Sequence, residues 1–508
     1  MSPASAQVQV QQQIQSLQQQ NQQLQQQDQE LMQRLNGMSD AIKQQQNDIN
    51  VIKTQQAPQA VQTAASGWNV GILNGRPTLS SPDGRNSIAL VGRLQFDVGE
   101  YFRSNGPGPA ATDKRISNDL NSGYNLRRGR LGINGTYDND WNYAFVTEFG
   151  NINTSNTQTT GTRVGSNVVT GQILTASLAY TGFSQVALVA GYTDVDNGFA
   201  TAVSSADITF NERPSIDFIT NSLDAGEPRA AFGLKSWGQH WYGSAWVTGP
   251  ANSVPGNGQQ SATVMRGVYV PVNDNQSLLH FGVNGSYVFS PPRDDTATGT
   301  AGNGVPLARS SFRFSDRPEL RIDPTQFLDT GNINGSHADT YGVEVAGKWQ
   351  SLWFDAEYKG IGVNQIAAPS GTTPAPFLNF SGYYAEVGYF LTGESRPYKI
   401  TKAVWDTVVP DAPLSKSGGW GAWEIAGRYS TVNLNSGRLG QGGVLGGKQQ
   451  VYQAGLNWYP VRYVRFMLDY LNAGIDKRAQ VASAGVVPGV TQQGTNFQAL
   501  VLRTQVSW

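Results

Sequence analysis

The last ten residues, Ala499-Leu-Val-Leu-Arg-Thr-Gln-Val-Ser-Trp508, decide the fold. With a period of two, Leu500, Leu502, Thr504, Val506 and Trp508 share one face, and Ala499, Arg503, Gln505 and Ser507 share the other. Successive side chains of a strand point to opposite faces, so the first face suits hydrocarbon and the second suits water. The pattern recurs upstream. Leu94, Phe96 and Val98 oppose Arg93, Gln95 and Asp97, and Tyr452, Ala454, Leu456 and Trp458 oppose Gln453, Gly455 and Asn457. Repeated segments of this kind, about ten residues each, are the signature of a transmembrane β-barrel.

Composition agrees. Of 508 residues only 14% are charged, against about 25% in soluble domains, which leaves too little charge for a surface wholly in water. Mean hydropathy is −0.37, and no apolar run approaches the roughly 20 residues of a helical span. A net charge of −1 gives no general attraction to nucleic acid. With no Cys and 3 His, no Cys-based zinc or redox centre can form, and neither metal nor cofactor is expected.

Period-2 segments bounded by turn signals number sixteen, at about 86–103, 123–137, 141–149, 172–181, 185–193, 227–236, 240–248, 262–270, 277–289, 340–350, 352–360, 379–391, 420–430, 450–459, 463–472 and 495–507. Connections after strands 2, 4, 6, 8, 10 and 14 are six residues or fewer, while those after odd strands run from about a dozen to about fifty, as with short periplasmic turns and long external loops. One even connection, 392–419, breaks the rhythm. Trp141, Phe183, Trp237, Trp241, Trp349, Trp353, Trp458, Tyr463 and Trp508 flank the short turns, as an interfacial girdle would. A soluble β-sandwich would alternate too, but would not gather its aromatics at one end of the strands. The predicted fold is all-β: a 16-stranded antiparallel transmembrane barrel over 86–508, preceded by an N-terminal α-helical coiled coil.

That coiled coil is predicted over 7–56. A seven-residue register puts Ile14, Leu35, Ile42 and Ile49 at a positions and Leu17, Leu24, Leu31, Met38 and Ile52 at d positions, with Asn21 and Asp28 interrupting the seam. Such a seam must be covered by a partner helix, so the segment should self-associate; disorder, the reading suggested by 21 Gln in the first 56 residues, would give no register. Residues 1–6, ending in Ala4-Ser5-Ala6, look like the remnant of a signal peptide. Pro58 and small residues make 57–85 a linker leading into the barrel.

The residues also carry a resemblance. Gly92-Arg93-Leu94-Gln95, Arg127-Arg128 followed by Trp141, Tyr180-Thr181-Gly182-Phe183, Ser204-Ser205, Glu212-Arg213, Arg317-Pro318-Glu319, Leu391-Thr392-Gly393-Glu394 with Arg396, Gly419-Trp420-Gly421-Ala422-Trp423-Glu424 and Gly455-Leu456-Asn457-Trp458-Tyr459 run in order along the chain. Together they resemble the phosphate-selective porin (O/P-type) family, over about 86–508. The resemblance implies a homotrimer, a long turn at 392–419, and a third loop, here 194–226, folded inward to narrow the pore. It also implies an anion-binding lysine in that loop, and the matching position here is Ala206.

The expected site is therefore a pore. Asp196, Ala206, Asp207 and Arg213 should form its constriction. The third loop carries Asp194, Asp196, Asp207, Glu212, Asp217 and Asp224 against Arg213, a balance of −5, which would attract cations. Wall residues Arg93, Arg128 and Arg130 should face the lumen by parity, leaving Arg127 at an interface or in the loop. Arg309, Arg313, Arg317 and Arg321 of the fifth loop form either an external anion funnel or a balanced solvated loop, and Arg396, Lys399 and Lys402 form a periplasmic exit cluster or ordinary surface charge. His240, His280 and His337 are too far apart for a triad, so no catalytic residue and no enzyme activity are expected. The function read from the sequence is passive diffusion of small hydrophilic solutes and ions across the Gram-negative outer membrane, with anions such as phosphate among them and the coiled coil in the periplasm. Partners are outer-membrane lipid, further copies of the chain and the solutes. A periplasmic or cell-wall component joins them in the alternative, where the barrel is mainly an anchor and the coiled coil a tether.

Overall fold

The computed structural model describes residues 67–73, 75–105, 120–150, 171–225, 228–251, 260–291, 293–294, 309–366, 376–480 and 487–508. The coiled-coil seam, Ile14, Leu17, Leu24, Leu31, Leu35, Met38, Ile42, Ile49 and Ile52, lies outside them. The barrel is built within the unit Ser66–Trp68 and Ile72–Trp508.

Sixteen long strands make the wall: β1 (Ser87–Asn105), β2 (Gly123–Tyr137), β3 (Trp141–Glu148), β4 (Gln172–Tyr180), β5 (Val186–Thr193), β6 (Arg229–Trp237), β7 (Trp241–Ala251), β8 (Ser261–Asn273), β9 (Ser277–Ser290), β10 (Ile333–Trp349), β11 (Leu352–Gln365), β12 (Phe377–Phe390), β13 (Ala422–Ser436), β14 (Val444–Val461), β15 (Val464–Asp476) and β16 (Asn496–Ser507). Each pairs antiparallel with the next. β16 returns to β1, with Arg503 opposite Asp97 and Ser507 opposite Arg93. Closure leaves the wall without an unpaired edge, which the bilayer core requires.

Alternation sets the two surfaces. Leu94, Phe96, Val98, Leu468, Leu500 and Leu502 are exposed on the lipid side, while Asp97, Arg465, Asp469 and Arg503 are buried inside. Trp141, Phe183, Trp241 and Trp349 are exposed near the short turns. Trp353 is not part of that girdle: it faces inward and is fully buried. Two external loops, 252–260 and 437–443, are shorter than expected because β7, β8, β13 and β14 extend beyond the predicted spans. For the same reason His337 lies on β10 rather than in the fifth loop.

The interior is packed, and loops do the packing. The third loop carries α1 (Phe199–Ala202) and α2 (Ser215–Thr220). Phe199, Val203 and Ile208 from it meet Ala403, Val404, Trp405 and Val408 of the turn between β12 and β13, with Tyr242, Trp353, Phe390 and Tyr459 of the wall. Ile216 and Ile219 of α2 meet Phe312, Phe314 and Leu328 of the fifth loop, and Leu320 and Phe327 of that loop pack on Leu471, Phe497 and Val501. Burying a large apolar side chain stabilises by roughly 1.5–3 kcal/mol, which is what draws these loops off the surface. The long turn therefore enters the barrel from the periplasmic end as the third and fifth loops enter from outside.

Candidate functional site

The space left over is a cavity of ≈ 560 Å³ bordered by β1 to β7, the third loop, the long turn and the chain end at Trp508. Gly198 lies in the third loop between the lining residues Asp196 and Thr201. Its φ is 107°, and a Cβ there would collide with the Glu357 carboxylate, so both backbone and space require glycine at this point.

All four residues expected at the constriction, Asp196, Ala206, Asp207 and Arg213, border the cavity. Ser204 and Ser205 accept from the Arg93 guanidinium at 3.1 and 2.6 Å. Arg130 pairs with Glu148 at 2.6 Å and reaches Ser205 at 3.3 Å. Lys399 and Lys402 from the turn and Lys235 from β6 complete the rim. Lys235 was not among the expected residues, although strand parity alone would have placed it.

The acidic excess of the third loop does not reach the lumen intact. Glu212 receives Arg127 at 2.5 and 2.9 Å and Arg503 at 3.2 Å. Burial alone would favour its protonated acid, but Arg127 and Arg128 hold the carboxyl well below the usual range. Asp217 pairs with Lys359 at 2.8 Å. Asp196 accepts from Tyr242, Ser244 and Trp246 at 2.7–2.9 Å, with Lys235 and Arg266 at 4.0 and 3.9 Å. The cavity lining holds Arg76, Arg93, Arg130, Arg213, Lys235, Lys399 and Lys402 against Asp194, Asp196, Asp207 and Asp406, seven cations to four carboxylates, or +3. The formal charge of the lining is thus opposite in sign to that of the third loop, because wall and turn contribute cations beside the loop's acids.

Several expected pore residues lie elsewhere. Arg127 and Arg128 both point inward, since the β1–β2 register shifts between Gln95 and Phe96, leaving Arg127 as the extra residue; a bulge of this kind breaks the parity that would otherwise exclude one of them. Arg128 donates to Gln95 at 2.7 Å but is buried behind the third loop. Arg396 is likewise enclosed, paired with Glu424 at 2.9 Å and stacked 4.0 Å over Trp353. In the fifth loop Arg313 pairs with Asp329 at 2.7 Å and Arg321 with Asp316 at 2.8 Å, while Arg317 is buried. None of these six arginines borders the cavity. The backbone of Arg309 lies in a short strand, Arg309–Phe312, and its side chain is outside the described residues.

Donors from the wall and the long turn hold the third loop by its backbone. Ser205 O accepts from Gln95 at 2.9 Å, Ala206 O from Gln505 at 3.0 Å, and Asp207 O from Arg396 at 2.9 Å. Arg465 reaches Ile208 O at 2.6 Å and Thr209 O at 3.0 Å. Arg503 reaches Asn211 O at 2.5 Å, and Arg428 reaches Glu212 O at 2.9 Å. An extended segment without a sheet partner must satisfy its carbonyls somehow, and bonds from charged donors contribute about 1.5–3 kcal/mol each.

A sequence profile of the family described as phosphate-selective porin O and P matches residues 103–508. The chain belongs to that family. Porin O of Pseudomonas aeruginosa is 27% identical over 425 residues, covering 78% of this chain and 85% of that protein. Among solved structures, the anion-selective porin from Comamonas acidovorans has TM-score 0.47 and 10% identity, covering 83% of this chain and 100% of that one. OprB of Pseudomonas putida has TM-score 0.45 and 9% identity, covering 83% and 94%. As a porin, the chain is a passive diffusion channel of the outer membrane and not an enzyme. Buried His280 lies between Tyr398 and Glu344 at 2.8 and 3.1 Å, His240 bonds Val270 O, and His337 bonds Ser336 and Asn364 on β10 and β11.

Proposed function

We propose that this porin is a homotrimer whose lumen favours small hydrophilic anions, phosphate among them. The observation that carries the reading is the cation excess of the cavity lining, with Arg93, Arg130, Lys235, Lys399 and Lys402 on the rim. Fixed charge at a narrow aqueous passage selects by sign and releases what it binds when the attraction is modest. Ala206 removes the family's loop lysine, so the attraction is spread over wall and turn, and phosphate and other small anions of its size pass by the same route. The coiled coil of residues 7–56 stands in the periplasm and joins the three copies; its seam supports this reading. Vesicles carrying the porin and loaded with labelled phosphate or rubidium test the anion preference: phosphate should leave faster, and faster release of rubidium would refute it. Deleting residues 7–56 should weaken the trimer to heat in detergent while leaving permeation in place. Loss of envelope integrity with unchanged trimer stability would favour the tether reading.

A further inference from the structure

Most of the inward arginines avoid the cavity, which raises the question of what they do. Arg465, Arg503 and Arg428 border none of it, and each already has anionic company. Arg503 is held by Asp97 at 2.6 and 2.7 Å. Arg428 is held by Glu319 at 2.6 Å and Glu386 at 3.1 Å. Arg465 has Glu424 at 4.0 Å and lies 4.7 Å over the Tyr459 ring. A passing anion would have to displace these carboxylates. Each also donates to the third loop, onto the carbonyls of Ile208, Thr209, Asn211 and Glu212. Phe210, between these carbonyls, is fully buried with Arg428 4.7 Å over its ring, and the Asn211 amide donates to Asp469 at 2.7 Å.

We propose that Arg465, Arg503 and Arg428 are positioning residues that set the bore of the channel by clamping the backbone of residues 208–212, and that they take no part in the solute path. The segment so held leads directly from Ala206 and Asp207, which border the cavity. Arg465 carries the argument furthest because its planar fork spans two consecutive carbonyls. A lysine keeps the charge and has three donors, but it is shorter and lacks the flat fork whose two arms fit these two carbonyls, so it holds the pair less well. The clamp therefore depends on shape, whereas a place in the solute path would depend on charge alone.

Neutral solutes separate these roles and do so independently of the anion reading. In liposome swelling, the ratio of disaccharide to monosaccharide entry reports the bore. Arg465→Gln should raise that ratio several-fold over the parent porin, and Arg465→Lys should leave much of the increase in place despite keeping the charge. A short bifunctional thiol reagent joining Ala206→Cys to Gln505→Cys, added to Arg465→Gln, should return the ratio towards the parent value; the chain has no other cysteine. Heat-dependent gel mobility checks that the barrels are folded, and if Arg465→Gln fails to fold, Arg465→Lys carries the test alone. An unchanged sugar ratio, or a ratio fully restored by Lys, would overturn the clamp. Loss of anion preference in the parent porin would instead overturn the functional reading and leave the sugar result standing.

Discussion

Arg396, on the turn that enters the barrel from the periplasmic end, donates across 2.9 Å to the carbonyl of Asp207 on the loop that enters from outside. The two intrusions thus meet inside the wall. Their apolar residues pack together against β7 to β14, and the open space is displaced towards β1 to β7. The border of the open space is shared there by two elements of opposite origin.

That junction can be broken from one side. Arg396→Ala removes the bond to Asp207 and leaves Glu424, fully buried, without its close cation, though still bonded by Trp353, Asn457 and Tyr459. Breaking a buried pair in this way costs about 3–5 kcal/mol. The variant should unfold at a lower temperature in heat-dependent gel mobility and show a larger single-channel conductance. Arg396→Ala with parental conductance would mean that the turn is held by its apolar contacts alone.

Water access follows burial rather than parity. Arg93→Cys and Arg130→Cys should react with a small water-soluble thiol reagent, since both border the cavity. Leu94→Cys and Leu131→Cys face lipid and should not react. Arg128→Cys should also resist, although its side chain points inward, because the third loop covers it. Rapid labelling at 128 would show that the loop lies elsewhere.

The family's missing cation can be put back. Ala206→Lys adds a charge to a lining that is already positive. Two unit charges about 4 Å apart interact by roughly 4 kcal/mol at an effective dielectric of 20, so one residue at the narrow point is felt strongly. Anion preference should rise, and more at 0.1 M salt or below, where screening is weaker. No change at low salt would remove Ala206 from the constriction.

Selectivity should also depend on pH. Burial pushes the Asp207 carboxyl up, so it loses its negative charge at a higher pH than an ordinary aspartate. Burial, with Lys235 and Lys399 close by, pushes the Lys402 ammonium down, so it loses its positive charge earlier as pH rises. Both shifts act in one direction: acid removes an anion from the lining and alkali removes a cation. Anion preference should fall steadily as pH rises, most of all at the acidic and alkaline ends. Asp207→Asn should flatten the acidic arm, and a profile that rises with pH would contradict both assignments.

Much of the wall was legible because lipid on one side and water on the other impose a strict period of two. Leu94 against Arg93, or Leu502 against Arg503, could be assigned from sequence alone. The inward pair Arg127-Arg128 could not, since one inserted residue resets the parity and nothing local announces the bulge. Trp353 misled for a different reason: a tryptophan beside a short turn reads as an interfacial anchor, and only the buried Arg396 and Glu424 explain why it points in. The charge of the third loop could be counted from sequence, but its pairing could not. Glu212 and Asp217 meet Arg127 and Lys359 from strands far away in sequence, and a formal sum over one segment does not see partners supplied by another.

The sign of the lumen is the central claim, and the reversal potential of the unmodified porin tests it most directly. In a tenfold potassium chloride gradient at neutral pH, a lining with the cation excess found here should give a potential on the chloride side of zero, and adding Lys235→Gln with Lys402→Gln should move it towards zero. A potential on the potassium side in the parent porin would contradict the account, because it would mean that the carboxylates of the third loop, and not the cations of wall and turn, govern what passes.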